Sequence, residues 1–355
     1  MTRLPAPAIP PVADLYGELL LAETGPQPRR IADYWPGVAV VGVAALAAAW
    51  LADHYAAPLV LMGLLFGLAL SFVSQDRRTH AGLDLMSQTA LRWGIVLLGA
   101  RITFDQFAAL GFTPFAALIG IMLLVMAVTI GTARLFGQTK PAALLAGGAT
   151  AICGASAALA LYSLIGKQAV DQSRFTLTLV GITVASALAM SLYPVLAVQL
   201  GLTDAQAGFL IGAATHDVAQ AIGGGFSVSP EAGETATIVK LTRVALLAPM
   251  LMLAALWLSR QGEAVASRGR VSLRLPWFIT AFLAVVAAGS VIDIPAPARD
   301  GAATAAQALL LLAIVATSMK AQLQLLLGQG WRPFAPVAVA TLTSFTAALV
   351  AALAL

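Results

Sequence analysis

His216 and Asp217 stand side by side in the middle of a long apolar stretch, with Thr215 before them and Gln220 one helical turn on. Histidine titrates near neutral pH, and a carboxylate taken out of water can be shifted toward that range, so the pair could carry a proton. Arg92 lies near the centre of another apolar stretch, one turn after Gln88. Lys240 and Arg243, in Val239-Lys240-Leu241-Thr242-Arg243, are three apart and share a helix face. Ionisable groups inside spans are costly, so each is a functional candidate. A third group is neutral: Thr150, Cys153, Gly154 and Ser156 interrupt an Ala/Leu-rich segment. Together these residues suit an oxyanion. Interrupted helices offer backbone N–H groups at their N-termini, hydroxyls add donors, and Arg92, Lys240 and Arg243 would supply the charge.

Such residues need elements that hold them at membrane depth. The chain has 355 residues, 60% of them hydrophobic and 10% charged. Soluble domains are about 45–50% apolar and about 25% charged. This composition therefore predicts an all-α polytopic membrane protein with the lipid bilayer as its solvent. A span needs about 20 residues, which leaves room for roughly ten or eleven. Apolar segments fall near 36–52, 57–73, 83–103, 107–136, 141–166, 175–201, 205–228, 236–259, 276–292, 303–322 and 333–355. Residues 1–35, rich in proline and acidic groups, read as a tail, and 36–355 as one transmembrane domain. Lys and Arg cluster before the first segment and after the second, fourth and eighth. The positive-inside rule then puts the N-terminus in the cytoplasm. The net charge of +4 sits in these loops, so it signals topology and not nucleic acid.

Segments 141–166 and 205–228 are unusual. The first carries Gly147-Gly148 and Cys153-Gly154, the second Thr215-His216-Asp217 and Gly223-Gly224-Gly225. Backbone freed at such breaks is tolerated only where it is buried or lines a cavity, which predicts discontinuous or re-entrant helices. Two weak internal matches agree. Ile95-Val96, Arg101, Gly111-Phe112 and Pro114-Phe115-Ala116 align with Ile314-Val315, Lys320, Gly330-Trp331 and Pro333-Phe334-Ala335. Gly148-Ala149 aligns with Gly212-Ala213, and Leu177-Thr178 with Leu241-Thr242. Inverted repeats of this kind belong to secondary transporters.

Plainer readings stand beside these. Arg101, Lys320, Lys240 and Arg243 lie near segment ends and can snorkel to headgroups. Cys153 can be a small apolar packer, and the glycines can serve close helix packing. Gly154-Ala155-Ser156 with His216 raises an intramembrane serine hydrolase, since a hydroxyl and an imidazole are its minimum. That reading leaves Arg92 and the doubled blocks unexplained, so the chain is read as no enzyme. No phosphate-binding loop, dinucleotide motif or metal-ligand spacing is present, and neither cofactor nor metal is expected.

Gly148–Ala158 (GATAICGASAA), Gly212–Gly225 (GAATHDVAQAIGGG), Ile238–Pro249 (IVKLTRVALLAP) and Leu91–Thr103 (LRWGIVLLGARIT) resemble the YeiH-type sulfate exporter family. The resemblance covers about residues 40–355. It implies kinship with the cation–proton antiporter and bile-acid symporter superfamily, and an inverted-repeat, elevator-type fold in the inner membrane. Elevator-type relatives are often dimers, so it leaves room for a homodimer. It also implies export of sulfate or a related sulfur oxyanion, coupled to protons or another ion. A proton- or sodium-coupled symporter of organic anions stays open as the alternative on the same scaffold.

Overall fold

A computed structural model describes residues 30–55, 59–103, 111–166, 168–260, 277–292, 295–321 and 331–355. Most of the expected tail, Lys167, the basic residues Arg268, Arg270 and Arg274, and Gly330 lie outside the described residues. Among the described residues every regular element is helical. The chain runs α1 (Ile31–His54), α2 (Leu59–Ala69), α3 (Arg77–Asp84), a π-helical turn (Leu85–Ala90), α4 (Leu91–Leu98) and α5 (Phe112–Thr132). It continues with α6 (Lys140–Ala151), α7 (Ala155–Ile165), α8 (Gln172–Gln199), α9 (Asp204–Ala214) and α10 (Val218–Phe226). Last come α11 (Pro230–Ala245), α12 (Leu247–Arg260), α13 (Trp277–Val291), α14 (Ala296–Met319) and α15 (Ala335–Ala354).

Five of the described helices are long and apolar enough to cross a bilayer: α1, α5, α8, α14 and α15. Side chains on their outer faces, such as Trp35, Leu46, Leu123, Leu192 and Val350, are exposed and apolar, as lipid contact requires. This is a multi-pass membrane protein. The first helix starts at Ile31, five residues before the expected boundary. Asp33 accepts from the Arg30 backbone N–H at 2.7 Å, which begins the helix ahead of Pro36.

Both unusual segments are interrupted helices. The first breaks at Ile152-Cys153-Gly154, between α6 and α7. The second breaks at Thr215-His216-Asp217, between α9 and α10. Each half holds 9 to 12 residues, about 14–18 Å at 1.5 Å per residue, so none alone spans a core of about 30 Å. Their outer ends start on side-chain caps. The Thr139 hydroxyl accepts from the Ala142 N–H, with Pro141 in the first turn, and Thr203 and Gln206 form a reciprocal capping box. Gly154 takes φ 71°, a backbone state that a side chain resists, and this turns the chain between α6 and α7.

Small residues let these pieces approach closely. Gly208 and Gly212, four apart on α9, lie against Ala232, Thr235, Ala236 and Val239 of α11. Gly63 and Gly67, four apart on α2, lie against Leu311, Val315 and Ser318 of α14. Both are the small-xxx-small pattern of membrane helix packing. The tightest crossing joins α1 to α3, where Gly37 and Gly82 meet; a Cβ on Gly82 would overlap the Tyr34 carbonyl and the Val38 amide nitrogen. Gly82→Ala should therefore lower stability by about 1–3 kcal/mol, the usual cost of overpacking. Gly120 on α5 has nothing within 4 Å of its added Cβ, so Gly120→Ala should leave the detergent melting temperature unchanged. Equal melting temperatures for the two variants would show that the crossing is looser than described.

Candidate functional site

Interrupting a helix strands its last carbonyls, each of which costs several kcal/mol if left unpaired in hydrocarbon. The α6 break keeps two bonds of its own, Ile152 N–H to Gly148 O and Gly154 N–H to Ala149 O. The others are met from α11. Arg243 donates through Nη2 to Thr150 O (2.8 Å) and through Nε and Nη2 to Ala151 O (3.0 and 2.7 Å). Its Nη1 turns to the other break and donates to Gly212 O (3.1 Å), Ala213 O and Thr215 O (3.1 Å). One turn earlier, Lys240 Nζ donates to Ile152 O (3.3 Å), Thr215 O (2.7 Å) and His216 O (2.6 Å). Both cations are fully buried, and together they bind seven carbonyls drawn from both breaks.

A helix C-terminus carries roughly half a negative charge. Two such ends meet here, and two cations neutralise them. The opposite, positive ends are treated differently. Asp217 caps α10 by accepting the Gln220 N–H at 3.1 Å, while its own N–H donates to the Ser186 hydroxyl at 2.9 Å. At α7 the N-cap is Gly154, and no side chain caps it.

The uncapped end of α7 opens on a cavity of about 180 Å³. Four of the residues singled out from sequence border it: Arg92, Cys153, Ser156 and Asp217. Arg92 has no hydrogen-bond or ion-pair partner among the described residues and is half-buried. Ser156, in the first turn of α7, is exposed to the space. Lys320 of α14 also borders it, beside Ser87 and Gln88.

The remaining candidates lie behind the wall. Thr150, Thr215, His216, Gln220, Lys240 and Arg243 are buried and do not border the cavity. Neither Lys240 nor Arg243 presents its charge there. His216 Nε2 lies 2.9 Å from the Thr341 hydroxyl on α15, which donates in turn to Val337 O. Because the Thr341 hydroxyl is committed to Val337 O, it is placed to accept from the Nε2–H tautomer of His216. Ser156 and His216 share no hydrogen bond among the described residues, so the hydrolase pairing is not assembled. The side chains of Thr150, Thr215 and Gln220 also lack partners among the described residues, which collects unsatisfied polar groups around the crossover.

Three contributors escaped the sequence reading. Thr341 and Ser186 are single polar residues in apolar helices, with no local signal of what they meet. Lys320 was visible, but only as a cation at a segment end; it is buried and paired with Asp84 at 2.7 Å.

Residues 36–336, which contain both interrupted helices and every residue bordering the cavity, match the family described as Conserved hypothetical protein 698. The chain belongs to this family. Relatives include the UPF0324 membrane protein TauZ of Paracoccus pantotrophus, 40% identical over 306 residues and covering 86% of this chain and 90% of that protein. UPF0324 membrane protein RB0971 of Rhizobium meliloti is 39% identical over 312 residues, 88% of this chain and 90% of its own. UPF0324 membrane protein CT0845 of Chlorobaculum tepidum is 38% identical, with 86% and 85% covered. The family membership agrees with the resemblance carried by the interrupted-helix and Lys-Leu-Thr-Arg blocks. No solved structure matches the chain.

Within this family member, the crossover's dependence on two cations can be measured directly. Removing one partner from a buried charged network typically costs about 3–5 kcal/mol. Arg243→Leu should therefore lower the melting temperature of the purified protein sharply or abolish membrane insertion. Arg92→Gln, which breaks no described bond, should melt close to wild type. A stable, inserted Arg243→Leu protein would mean the carbonyls find other partners.

Proposed function

We propose that this chain is a secondary transporter that exports a small sulfur oxyanion, sulfate or a close relative, with transport coupled to protons or another ion. The observation that carries the proposal is one cavity bordered both by Arg92, which has no partner among the described residues, and by the uncapped end of α7. A guanidinium and backbone N–H groups are matched to a tetrahedral oxyanion, and the Ser156 hydroxyl adds a neutral donor. Lys240 and Arg243 are assigned to holding the crossover, and Arg92 to touching the anion. The volume of about 180 Å³ favours a small inorganic ion. Pockets that take drug-sized molecules run to roughly 300–1,000 Å³, which weighs against the organic-anion alternative.

Asp217 borders the same cavity. An anion at Arg92 and the charge on Asp217 feel each other, so binding an anion and binding a proton are linked, and the linkage is reciprocal. His216 stands next in the chain but faces α15, so its part in coupling runs through the position of the break and not through substrate contact. An inverted-repeat scaffold belongs to the same proposal. In its support, the doubled aromatic–x–Pro–Phe motif opens α5 at Phe112 and the turn before α15 at Trp331, and these two helices pack on each other and flank the interrupted pair.

Proteoliposome uptake of labelled sulfate and sulfite, with and without a pH gradient, tests the proposal. Saturable uptake that responds to the gradient is expected. Arg92→Gln should lower kcat/KM about 10–100-fold, in line with a charge-assisted hydrogen bond worth about 1.5–3 kcal/mol. Asp217→Asn should flatten the gradient response. Uptake of organic anions with none of sulfate or sulfite would replace this reading with the alternative. Wild-type gradient response in both Asp217→Asn and His216→Ala would remove these two residues from coupling.

A further inference from the structure

The cavity holds a second cation that its resting ion pair conceals. Lys320 follows the last turn of α14, where the negative helix end favours a cation. Its Nζ donates to Asp84 Oδ1 at 2.7 Å and to Ser87 Oγ at 3.4 Å. An ammonium has three N–H donors, and the third has no partner among the described residues. The residue is 5% exposed, yet it borders the cavity that Arg92 borders. Asp84, Gln88 and Arg92 recur at intervals of four through the π-helical turn, so they form one stripe with Lys320 bound at one end and Arg92 at the other. Interruptions of the π type inside α-helices are frequent at functional sites.

Resting on the reading of this cavity as an anion site, we propose that Lys320 is a second anion ligand held in reserve by Asp84, and that it gives the site a preference for doubly over singly charged oxyanions. An unpaired buried ammonium costs several kcal/mol, so Lys320 must keep a counter-anion when the site is empty. Asp84 is that counter-anion. An incoming oxyanion at Arg92 presents further oxygens to the free third N–H, then takes over the ammonium from Asp84. Lys320 exchanges one anion for another and is never left bare. Asp84 is the easier partner to release, because its side chain is 15% exposed against 7% for Lys320. Lysine suits this role: its charge is compact and its four-carbon stem lets Nζ swing without backbone movement. A singly charged anion satisfies Arg92 alone and gains little from Lys320, because it does not outcompete the Asp84 carboxylate.

Thermal-shift titrations of the full-length purified protein with inorganic sulfate and methanesulfonate read this directly. The two probes share sulfonyl oxygens and differ in charge. Wild type should bind sulfate at least about tenfold more tightly than methanesulfonate, the scale of one charge-assisted hydrogen bond. Removing the competitor in Asp84→Asn should tighten the binding of both anions, methanesulfonate most, and lower the ratio, because a singly charged anion then has no carboxylate to displace. Lys320→Gln should bring the ratio to within about twofold. The double variant Asp84→Asn/Lys320→Gln removes both charges together, so it keeps the test open if the single lysine variant does not fold, and it should show the same collapse. An undiminished ratio in the folded lysine or double variant overturns the assignment. If Arg92→Gln weakens both anions while these variants do not alter the ratio, the anion site stands and only the role of Lys320 falls. If wild type responds to neither anion, both fall.

Discussion

Seven backbone carbonyls at the meeting point of two interrupted helices have to be hydrogen-bonded without water, and two side chains of α11 reach all of them, with the Ser344 hydroxyl adding a bond to Ala213 O. The geometry of the site follows from that constraint. Lys240 and Arg243 are three apart, so one face of one helix reaches both breaks at once. The crossover is a joint between α6, α9 and α11 whose parts cannot separate without stranding carbonyls and bare cations together. The tight glycine seams of α9 against α11 place that face within reach.

Neutralising the two negative helix ends also decides which charges face the cavity. With those ends occupied by cations, the net field of the crossover comes from the positive ends. Asp217 closes one of them, at α10. The other, at α7, faces the cavity with only a glycine at its cap and Ser156 in its first turn. Arg92, on α4, borders the same cavity and adds a guanidinium with no partner among the described residues. A charge cluster bound to the backbone and a second one facing the cavity thus lie on either side of the same break. The first is saturated with hydrogen bonds and the second is not.

Much of this was legible in the sequence because membrane interiors make polar residues conspicuous. Both breaks fall within the segments marked by Gly147-Gly148, Cys153-Gly154 and Thr215-His216-Asp217, and every apolar segment contains helix. Arg92 was conspicuous for the same reason, and it borders the cavity. Direction was not legible. Periodicity places Lys240 and Arg243 on one face, but what that face meets depends on segments some 24 to 93 residues away. As buried cations beside glycine-rich loops they suit either an anion or bare carbonyls, and the structure puts them on carbonyls. His216 likewise lies one residue from Asp217, yet the change of backbone direction at the break sends it to Thr341 on α15. Lys320 looked like a headgroup anchor because it ends an apolar segment; its pairing with Asp84 spans 236 residues and leaves no local trace. At the start of α1, the helix begins ahead of the apolar segment because Asp33 accepts the Arg30 N–H there.

Under the proposed function the labour is divided: Lys240 and Arg243 hold the backbone, and Arg92 with the α7 end holds the anion. Selenate is a sulfate mimic whose selenium can be located in crystals by its anomalous signal. One anomalous peak is expected inside the cavity, within hydrogen-bonding reach of Arg92 and Ser156, with every Lys240 and Arg243 contact to carbonyl oxygen retained. A peak seated on Lys240 or Arg243, with those carbonyls released, would contradict that division.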